Sequence, residues 1–266
     1  MGDFSAEWLA LREPADRTAR SSTLVRVVAG ALERVSVPQI LDLAAGTGSN
    51  YRYLAPWFPE SRWLLADHDA TLLAKVPKTP SIETRVVDLA ALEDRSLFAG
   101  RALVTASALL DLVSEQWVND VTDRCALSGA AVLFALSYDG RIECSPPDGD
   151  DAEIVALVNE HQRTDKGFGP ALGPAAVDCA ERSFRSRGYR TQRASSDWIL
   201  TPSSQALQRA LIDGWAQAAA EVQPSRARLI EAWRLRRHAH VDGNRSSIVV
   251  GHEDLAGIAS VNTRNS

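Results

Sequence analysis

The sequence has few cysteines and no cysteine or histidine pattern that would bind a metal. Its three cysteines, Cys125, Cys144 and Cys179, lie far apart, and no Cys-x-x-Cys spacing occurs. An odd number of widely separated thiols argues against a disulfide framework, and the missing Cys/His pairs argue against a zinc site. We therefore expect reduced thiols in a cytoplasmic protein that holds no metal.

Long apolar stretches are also missing. Nowhere do about 18 apolar residues run together, the length that a membrane span needs. Residues 1–8 carry early acidic side chains, and no basic segment leads into an apolar run. We expect neither a membrane span nor a secretion signal. The 266 residues are 45% hydrophobic and 24% charged, which is ordinary for a globular protein that forms one large α/β domain.

Acidic residues outnumber basic ones, with 34 aspartates and glutamates against 29 lysines and arginines. The formal net charge is −5, whereas binding to long nucleic acids depends on a positive field. This charge disfavours a nucleic-acid partner. Two arginine-rich stretches, 182–193 and 226–237, are interpreted as helix surfaces whose arginines are solvated or ion-paired.

Short apolar runs alternate with helical spacing over the first half of the chain. The pattern predicts strands at 39–44, 62–66, 82–87, 101–105 and 130–136. Mostly apolar strands alternating with helices indicate a parallel sheet that is covered on both faces. Ligands of such sheets bind at the carboxyl ends of the strands.

The same reading continues on both sides of this region. Helices are predicted at 5–12, 22–36, 151–163, 175–187, 203–221 and 225–240, and strands at 189–200 and 246–251. The final dozen residues are predicted to form a frayed tail.

A glycine turn follows the first predicted strand. Residues 40–50 read Ile-Leu-Asp-Leu-Ala-Ala-Gly-Thr-Gly-Ser-Asn. Gly46 and Gly48 lack a Cβ, so the backbone can bend tightly and approach a ligand, and a helix N-terminus can face that ligand. The turn predicts a nucleoside-like cofactor.

The spacing after the turn distinguishes between cofactors. A dinucleotide fingerprint would carry a third glycine, but Ser49, Asn50 and the bulky Tyr51 follow Gly48. Asp67, at the end of the second predicted strand, lies 21 residues after Gly46, where an acceptor for ribose hydroxyls is expected. Asp88 closes the third predicted strand 21 residues later. The missing glycine disfavours a nicotinamide enzyme.

Residues 40–50, 64–73, 85–89 and 103–113 resemble successive motifs of class I S-adenosylmethionine-dependent methyltransferases, and the resemblance covers roughly residues 25–136. It implies an α/β fold with a Rossmann-like, seven-stranded, mostly parallel sheet and helices on both faces. N-terminal helices and a helical insertion before the last strand would be added to it. The implied cofactor is S-adenosyl-L-methionine. One departure is Ala44, where the family has a glycine; alanine is acceptable there if φ is negative.

The resemblance implies a single domain over residues 1–266. Its parts would be N-terminal helices (1–38), a cofactor-binding half (39–140), a substrate-side half (141–200), the helical insertion (203–240) and the last strand (246–256).

The resemblance also assigns cofactor-binding roles to residues at three strand ends. Asp42, with Ala44, Gly46 and Gly48 in the turn, would position the amino-acid end of the cofactor. Asp67 would hold the ribose hydroxyls, His68 would line the adenine or ribose, Asp88 would accept from the adenine amino group, and Leu89 would pack on the ring. Thr105, Ala106 and Ser107 would form a wall beside the methionine portion.

The methyl acceptor is predicted to be a small polar molecule that is methylated on oxygen or nitrogen. The Asn-Pro-Pro-Phe type of motif of base-methylating enzymes is absent after the fourth strand, and so are paired cysteines for a pyrimidine-carbon methylase. Candidate catalytic residues near the expected acceptor side are Asp111, Tyr138 and His161. Arg163 and Lys166 could hold an anionic acceptor.

Three alternatives stay open at this stage. One is an RNA-modifying methyltransferase, and another is a binding or scaffold protein that keeps the cofactor fold without catalysis. The third concerns the insertion at 203–240, which could pack on its own domain, form a cap or make a homodimer contact.

Overall fold

The computed structural model describes residues 5–92 and 94–260. Its eight strands form one sheet. They are β1 (Gln39–Leu43), β2 (Arg62–Asp67), β3 (Ile82–Val86), β4 (Leu103–Ser107), β5 (Ala131–Ser145), β6 (Tyr189–Ser195), β7 (Trp198–Leu200) and β8 (Ser247–Ala259). The order is β3-β2-β1-β4-β5-β8-β6, and β7 also pairs with β8. Strands β1 to β5 are parallel to one another, whereas β8 runs antiparallel to β5, β6 and β7.

The described part of the chain contains nine α-helices, of which two precede β1 and the others lie between strands. They are α1 (Ala6–Ala19), α2 (Ser22–Leu32), α3 (Ser49–Leu54), α4 (Ala70–Leu73), α5 (Glu115–Ser128), α6 (Asp151–Gln162), α7 (Ala176–Ser186), α8 (Gln205–Val222) and α9 (Ala227–Asp242). Helices α5 and α7 pack on one face of the sheet and α2 on the other. Within the residues described, no helix has both the length and the apolar character needed to cross a bilayer.

The predicted Rossmann-like, mostly parallel sheet is confirmed, with eight strands instead of seven. The predicted strand 189–200 consists of β6 and β7, which pair with β8 in one continuous register. Ser196 and Asp197 interrupt it. The Asp197 side chain accepts a hydrogen bond from the backbone N–H of His252 at 3.1 Å and so takes the place of a ladder bond.

Strands β5 and β8 are longer than predicted. The prediction ended β5 at residue 136 and made the last dozen residues a frayed tail, but β5 continues to Ser145 and β8 to Ala259. The two strands pair antiparallel from Val132 opposite Gly257 to Ser145 opposite Ser247, with irregularities between Phe134 and Ser137 and between Tyr138 and Ile142. These irregularities break the alternation that a sequence pattern depends on. Residues 261–266 of the predicted tail lie outside the described residues.

Helix α1 is also longer than predicted. It continues from the predicted end at residue 12 to Ala19 and contains Pro14. Ser5 caps its N-terminus by accepting a hydrogen bond from the Trp8 backbone N–H. The extra turns carry Asp16, which is buried, toward the sheet.

The helical insertion packs on its own domain. Helices α8 and α9 share an apolar cluster with α6 and with β5, β7 and β8, and Trp215 and Trp233 are buried in it. The Trp233 indole donates to the Asp151 carboxylate at 2.8 Å. Arg237 is fully buried, pairs with the same carboxylate and donates to the Pro146 carbonyl at 2.6 Å.

Candidate functional site

Strained backbone occurs directly after two neighbouring strands, β1 and β4, and within the next strand, β5. Ala44 follows β1 with φ 52°, Ala108 follows β4 with φ 53°, and Leu136 lies at a bulge of β5 with φ 56°. Residues with a Cβ rarely adopt this left-handed conformation, and such strain concentrates at functional sites. For Ala44 the structure differs from the negative φ under which alanine is acceptable. Ala44 therefore adopts the left-handed conformation that favours glycine, although this chain has alanine at that position.

The glycine turn is tied to the end of β2. Gly46 has φ 53°, and its backbone N–H donates to Asp67 Oδ2 at 2.8 Å. Asp67 Oδ1 accepts from the Asp69 backbone N–H at 2.9 Å. A Cβ on Gly46 would stand 3.1 Å from Leu9 Cδ1 of α1, which covers the turn. The turn, the β2 carboxylate and α1 therefore meet at one point.

A cleft of about 770 Å³, including the space at its mouth, opens at this point. Five predicted cofactor residues line it, namely Ala44, Gly46, Asp67, His68 and Ser107. The structure thus brings together residues from the ends of β1, β2 and β4.

Asp42 lies beneath the cleft and reaches it through another residue. Asn50 lines the cleft and donates to Asp42 Oδ1 at 2.5 Å, while Arg20 donates to Asn50 Oδ1 at 2.6 Å. In the described residues, Asp42 Oδ2 has no hydrogen-bond partner. Burial raises the pKa of Asp42 to about 7, although the Asn50 hydrogen bond and the Arg20 charge act in the opposite direction.

Gly48, Asp88 and Leu89 are not among the cleft-lining residues that the structure describes. Gly48 precedes α3 with φ 82°, and a Cβ there would stand 3.3 Å from Val76 Cγ2, so this glycine serves close packing. Asp88 is exposed and accepts from the Ala90 backbone N–H at 2.8 Å. Leu89 is buried, and its carbonyl accepts from the Trp117 indole at 2.8 Å.

The predicted wall after β4 is only partly exposed to the cleft. Ser107 lines it, whereas Ala106 and Thr105 are buried. The Thr105 hydroxyl donates to the Leu133 carbonyl at 2.6 Å and accepts from Asn50 at 3.2 Å. Thr105 therefore supports Asn50 from below.

Asp111 lies next to the cleft, in the short 3₁₀ turn whose neighbours Leu109 and Leu112 line it. The residue is 7% exposed, and among described groups none forms a hydrogen bond to Oδ1. Burial raises the pKa of Asp111 to about 6, while the Arg12 charge and the Tyr138 backbone N–H lower it. A carboxyl group with a pKa in this range can exchange a proton near neutral pH.

Tyr138 and His161 do not line this cleft in the part of the chain that is described. The Tyr138 hydroxyl donates to Asn159 Oδ1 at 2.9 Å, and burial raises its pKa well above the ordinary range. His161, on α6, lies 3.0 Å from Glu221 of α8 and 3.2 Å from Lys166. His161 thus joins two helices at the surface.

Sequence reasoning missed the contribution of α1. Leu9, Arg12 and Asp16 line the cleft. Arg12 donates to both oxygens of Asp16, at 2.9 and 3.1 Å, and its guanidinium stacks 4.8 Å from the Trp198 ring. The Trp198 indole donates to Asp16 at 3.0 Å. The spacing of Arg12 and Asp16 is an ordinary helical ion pair, and nothing in the sequence joins that pair to a tryptophan 182 residues away.

Comparison with known proteins shows the fold. No family model matches the chain, and no curated protein does. Among solved structures, the YcgJ protein of Bacillus subtilis is 12% identical and superimposes with a TM-score of 0.50, covering 90% of this chain and 99% of its own. A methyltransferase of Thiobacillus denitrificans in complex with S-adenosyl-L-homocysteine is 14% identical, with coverage of 97% and 100% and a TM-score of 0.46. The cyclopropane synthase MmaA2 of Mycobacterium tuberculosis is 12% identical, with coverage of 96% and 87% and a TM-score of 0.46.

Likenesses at this level of identity concern architecture, and the activity has to be argued from the site. The strand order β3-β2-β1-β4-β5-β8-β6 and the glycine turn after β1 agree with the motifs in the sequence. The chain therefore has the Rossmann-like, mostly parallel α/β fold that its resemblance to class I S-adenosylmethionine-dependent methyltransferases implies.

Proposed function

We propose that this protein is an S-adenosyl-L-methionine-dependent methyltransferase that acts on oxygen or nitrogen of a small polar molecule. The observation that carries the proposal is the hydrogen bond from the Gly46 backbone to Asp67 at the wall of the cleft. This hydrogen bond joins the ends of β1 and β2, the place where folds of this kind bind a cofactor. The Asp67 carboxylate and the Gly46 backbone, which a ligand can approach closely, both face the cleft.

The residues present fit this cofactor. Asp67 is 4% exposed. Its Oδ2 accepts one backbone N–H and has a further lone pair for a ribose hydroxyl, whereas Oδ1 accepts the Asp69 N–H and also lies 3.2 Å from His68 Nδ1. The glycine turn and Asn50 would hold the amino-acid end, with Ser107 beside it. Asp42 acts in the same place through Asn50. His68 would line the ribose, and the roles of Asp88 and Leu89 toward the adenine belong to the same proposal.

The chain's own residues would mainly position the acceptor and exclude water. Bound S-adenosyl-L-methionine supplies a methyl group that is already activated for displacement, so in-line alignment of the acceptor contributes most. Leu9, Leu109 and Leu112 give the cleft apolar walls. Asp111 is the candidate base where the acceptor must lose a proton, whereas Tyr138 and His161 stay predictions.

The cellular setting is part of the proposal. Cys125 and Cys179 are buried free thiols, and Cys144 is partly buried and free. Free thiols persist in reducing compartments, which supports a cytoplasmic location. The acidic charge of −5 supports a small-molecule acceptor over a nucleic acid.

The experiment that tests the proposal is a titration of the protein with S-adenosyl-L-homocysteine, with NADH as the comparison ligand. We expect micromolar binding of S-adenosyl-L-homocysteine, about −8 kcal/mol, and none of NADH. Absence of binding at millimolar concentration would overturn the cofactor assignment. Turnover is then followed as S-adenosyl-L-homocysteine release with panels of small amines and alcohols. Binding without release on any acceptor would favour a non-catalytic protein.

A further inference from the structure

Strand β3 leaves one edge of the sheet open. It is the last strand in the sheet order and pairs only with β2 among the described strands. Its five residues, Ile-Glu-Thr-Arg-Val, contain no proline, and its register with β2 has no bulge, so two common devices that block edge pairing are missing. Its two charged residues, Glu83 and Arg85, are opposite in sign. Val86 is 59% exposed. An edge of this kind is a template to which another strand can add.

The free backbone groups of β3 belong to its even-numbered residues. The Ser81 carbonyl accepts from the Trp63 backbone N–H at 2.8 Å, and the Val87 N–H donates to the Asp67 carbonyl at 2.9 Å. Both bonds join odd-numbered residues to β2. Because consecutive residues of a strand direct their backbone groups to opposite sides, Thr84 directs its N–H and carbonyl away from β2. These two groups can pair with a second strand.

The side chains of β3 form one largely apolar face and one charged face. Ile82, Thr84 and Val86 line a groove of about 880 Å³, including the space at its mouth. Glu83 and Arg85 alternate with them along the strand and therefore lie on the other face, where Arg85 donates to Glu83 at 2.7 Å. The groove continues over apolar residues of α4 and the loop after it, namely Leu73, Val76, Pro77 and Pro80.

We infer that β3 pairs antiparallel with β3 of a second copy of this chain, centred on Thr84, and so forms a homodimer. A twofold axis perpendicular to the sheet keeps every side chain on its own face, so a residue lies opposite another of the same face. The registers that pair at least three of the five residues place Glu83, Thr84 or Arg85 opposite its own copy. Centring on Glu83 or Arg85 sets like charges opposite each other, which is destabilising.

The register centred on Thr84 is complementary along the whole strand. Each Glu83 lies opposite Arg85 of the second copy, and each Ile82 lies opposite Val86. Thr84 and its copy form a hydrogen-bonded pair that exchanges two backbone hydrogen bonds. The charged pairs then occupy the non-hydrogen-bonded positions, where side chains are closer together. With the Arg85–Glu83 bond inside each strand, four charges alternate in sign on one face.

This edge is separate from the cofactor cleft. Of the described residues, none lines both the groove and the cleft. The dimer is therefore independent of the proposed methyl transfer, and it also leaves the helical insertion exposed to solvent on its outer side.

Sedimentation equilibrium of the full chain tests the dimer. We expect a monomer–dimer equilibrium with a dissociation constant in the micromolar range. Glu83→Arg and Arg85→Glu each place like charges opposite one another, and each should raise that constant by about tenfold or more. The Glu83 and Arg85 side chains are 61% and 34% exposed, so both variants should keep the circular dichroism spectrum of the parent. A parent that stays monomeric up to about 1 mM, or variants that dimerise as the parent does, would overturn the inference.

Mixing the two variants tests the register. One variant strand then carries two arginines and the other two glutamates, so both cross-strand pairs are again opposite in charge. The equimolar mixture should form a heterodimer at concentrations where each variant alone is monomeric. Arg190→Glu, at an exposed residue of the opposite edge strand β6, is the matched control and should leave the parent's dimer unchanged. A mixture that stays monomeric, or loss of the dimer in Arg190→Glu, would overturn the inference.

Discussion

The carboxylate of Asp67 accepts a hydrogen bond from the backbone N–H of Gly46 at 2.8 Å, so the end of β2 is joined to the turn that follows β1. The two residues are 21 positions apart in the chain. The bond orients one carboxylate oxygen toward the turn, and the Asp69 backbone orients the other. The two carboxylate oxygens of Asp67 are therefore held in fixed directions before a ligand binds.

Replacing Asp67 should weaken cofactor binding. Asp67→Ala removes hydrogen bonds from a charged acceptor, and we expect a loss of roughly 1.5 to 3 kcal/mol in the binding free energy of S-adenosyl-L-homocysteine. Isothermal titration calorimetry measures it. Asp178→Ala is the control, because the Asp178 side chain is 60% exposed on α7 and should leave the affinity unchanged. An unchanged affinity in Asp67→Ala would remove the ribose role from this residue.

Ala44→Gly should stabilise the protein. The left-handed φ of 52° at Ala44 costs roughly 1–2 kcal/mol for a residue with a Cβ, while glycine adds about 0.5–1 kcal/mol of chain entropy to the unfolded state. We expect the free energy of unfolding to rise by about 0.5–1 kcal/mol in a urea titration. Ala45→Gly, at a neighbour outside that conformation, should lower it. Equal losses in both variants would show that the strain at Ala44 is absent.

Asp42 should make stability depend on pH. Its pKa is raised from 3.8 to about 7 in the folded state, so between these pH values the folded protein binds more protons than the unfolded chain. The free energy of unfolding then falls as pH rises through this window, by at most about 4 kcal/mol from this group. In Asp42→Asn the contribution disappears. The variant should therefore gain stability relative to the parent from pH 4 to 7, as measured by chemical denaturation.

Parallel stability curves for the parent and Asp42→Asn across that window would contradict the raised pKa. Asp148→Asn is a useful comparison, because the Arg236 hydrogen bond lowers the pKa of Asp148 to about 2 and its effect on stability has the opposite sign. That variant should lose stability relative to the parent as pH rises from about 2 to 4.

Helix α1 should control how fast the cofactor leaves. Leu9 lies over Gly46, and Glu13 of the same helix pairs with Arg52 of α3 at 2.6 Å. Leu9→Ala removes apolar contact above the turn, and we expect S-adenosyl-L-homocysteine to dissociate several-fold faster, at a cost on the order of 1 kcal/mol. Stopped-flow tryptophan fluorescence follows the release. Leu127→Ala, at a side chain that is 89% exposed, should not change the rate. Equal rates in both variants would mean that α1 stays open.

Two neighbouring arginines should differ sharply in how they anchor the insertion. Arg237 has no exposed side-chain surface and pairs with Asp151, whereas Arg236 is 44% exposed and pairs with Asp148. Arg237→Ala should cost about 3–5 kcal/mol of unfolding free energy because a buried pair is broken. Arg236→Ala should cost less than about 1 kcal/mol. Similar losses, measured by denaturant titration, would mean that the buried pair does not anchor α9.

The fold could be predicted largely from local pattern. Strands β1 to β3 and helices α8 and α9 lie within two residues of their predicted bounds, because apolar periodicity and turn residues act over short distances. The lengths of β5 and β8 could not be predicted in this way, because the two strands are more than 100 residues apart in the chain and their pairing contains two irregularities. The local pattern of apolar residues does not indicate which distant segment a strand pairs with.

Some features of the candidate site could likewise be predicted from the sequence, and others could not. By itself the sequence determined the glycine turn, the acids at the ends of β1 to β3 and the resemblance they support, because these features are contiguous or evenly spaced. Only the tertiary structure decided that Arg12 and Asp16 share the cleft with Asp67, that Asn50 separates Asp42 from it, and that Asp111 is buried with one carboxylate oxygen, Oδ1, unpartnered among the described residues. The physical reason is that burial and hydrogen-bond partners depend on how helices pack over the strand ends, and that packing is set by contacts between residues distant in the chain.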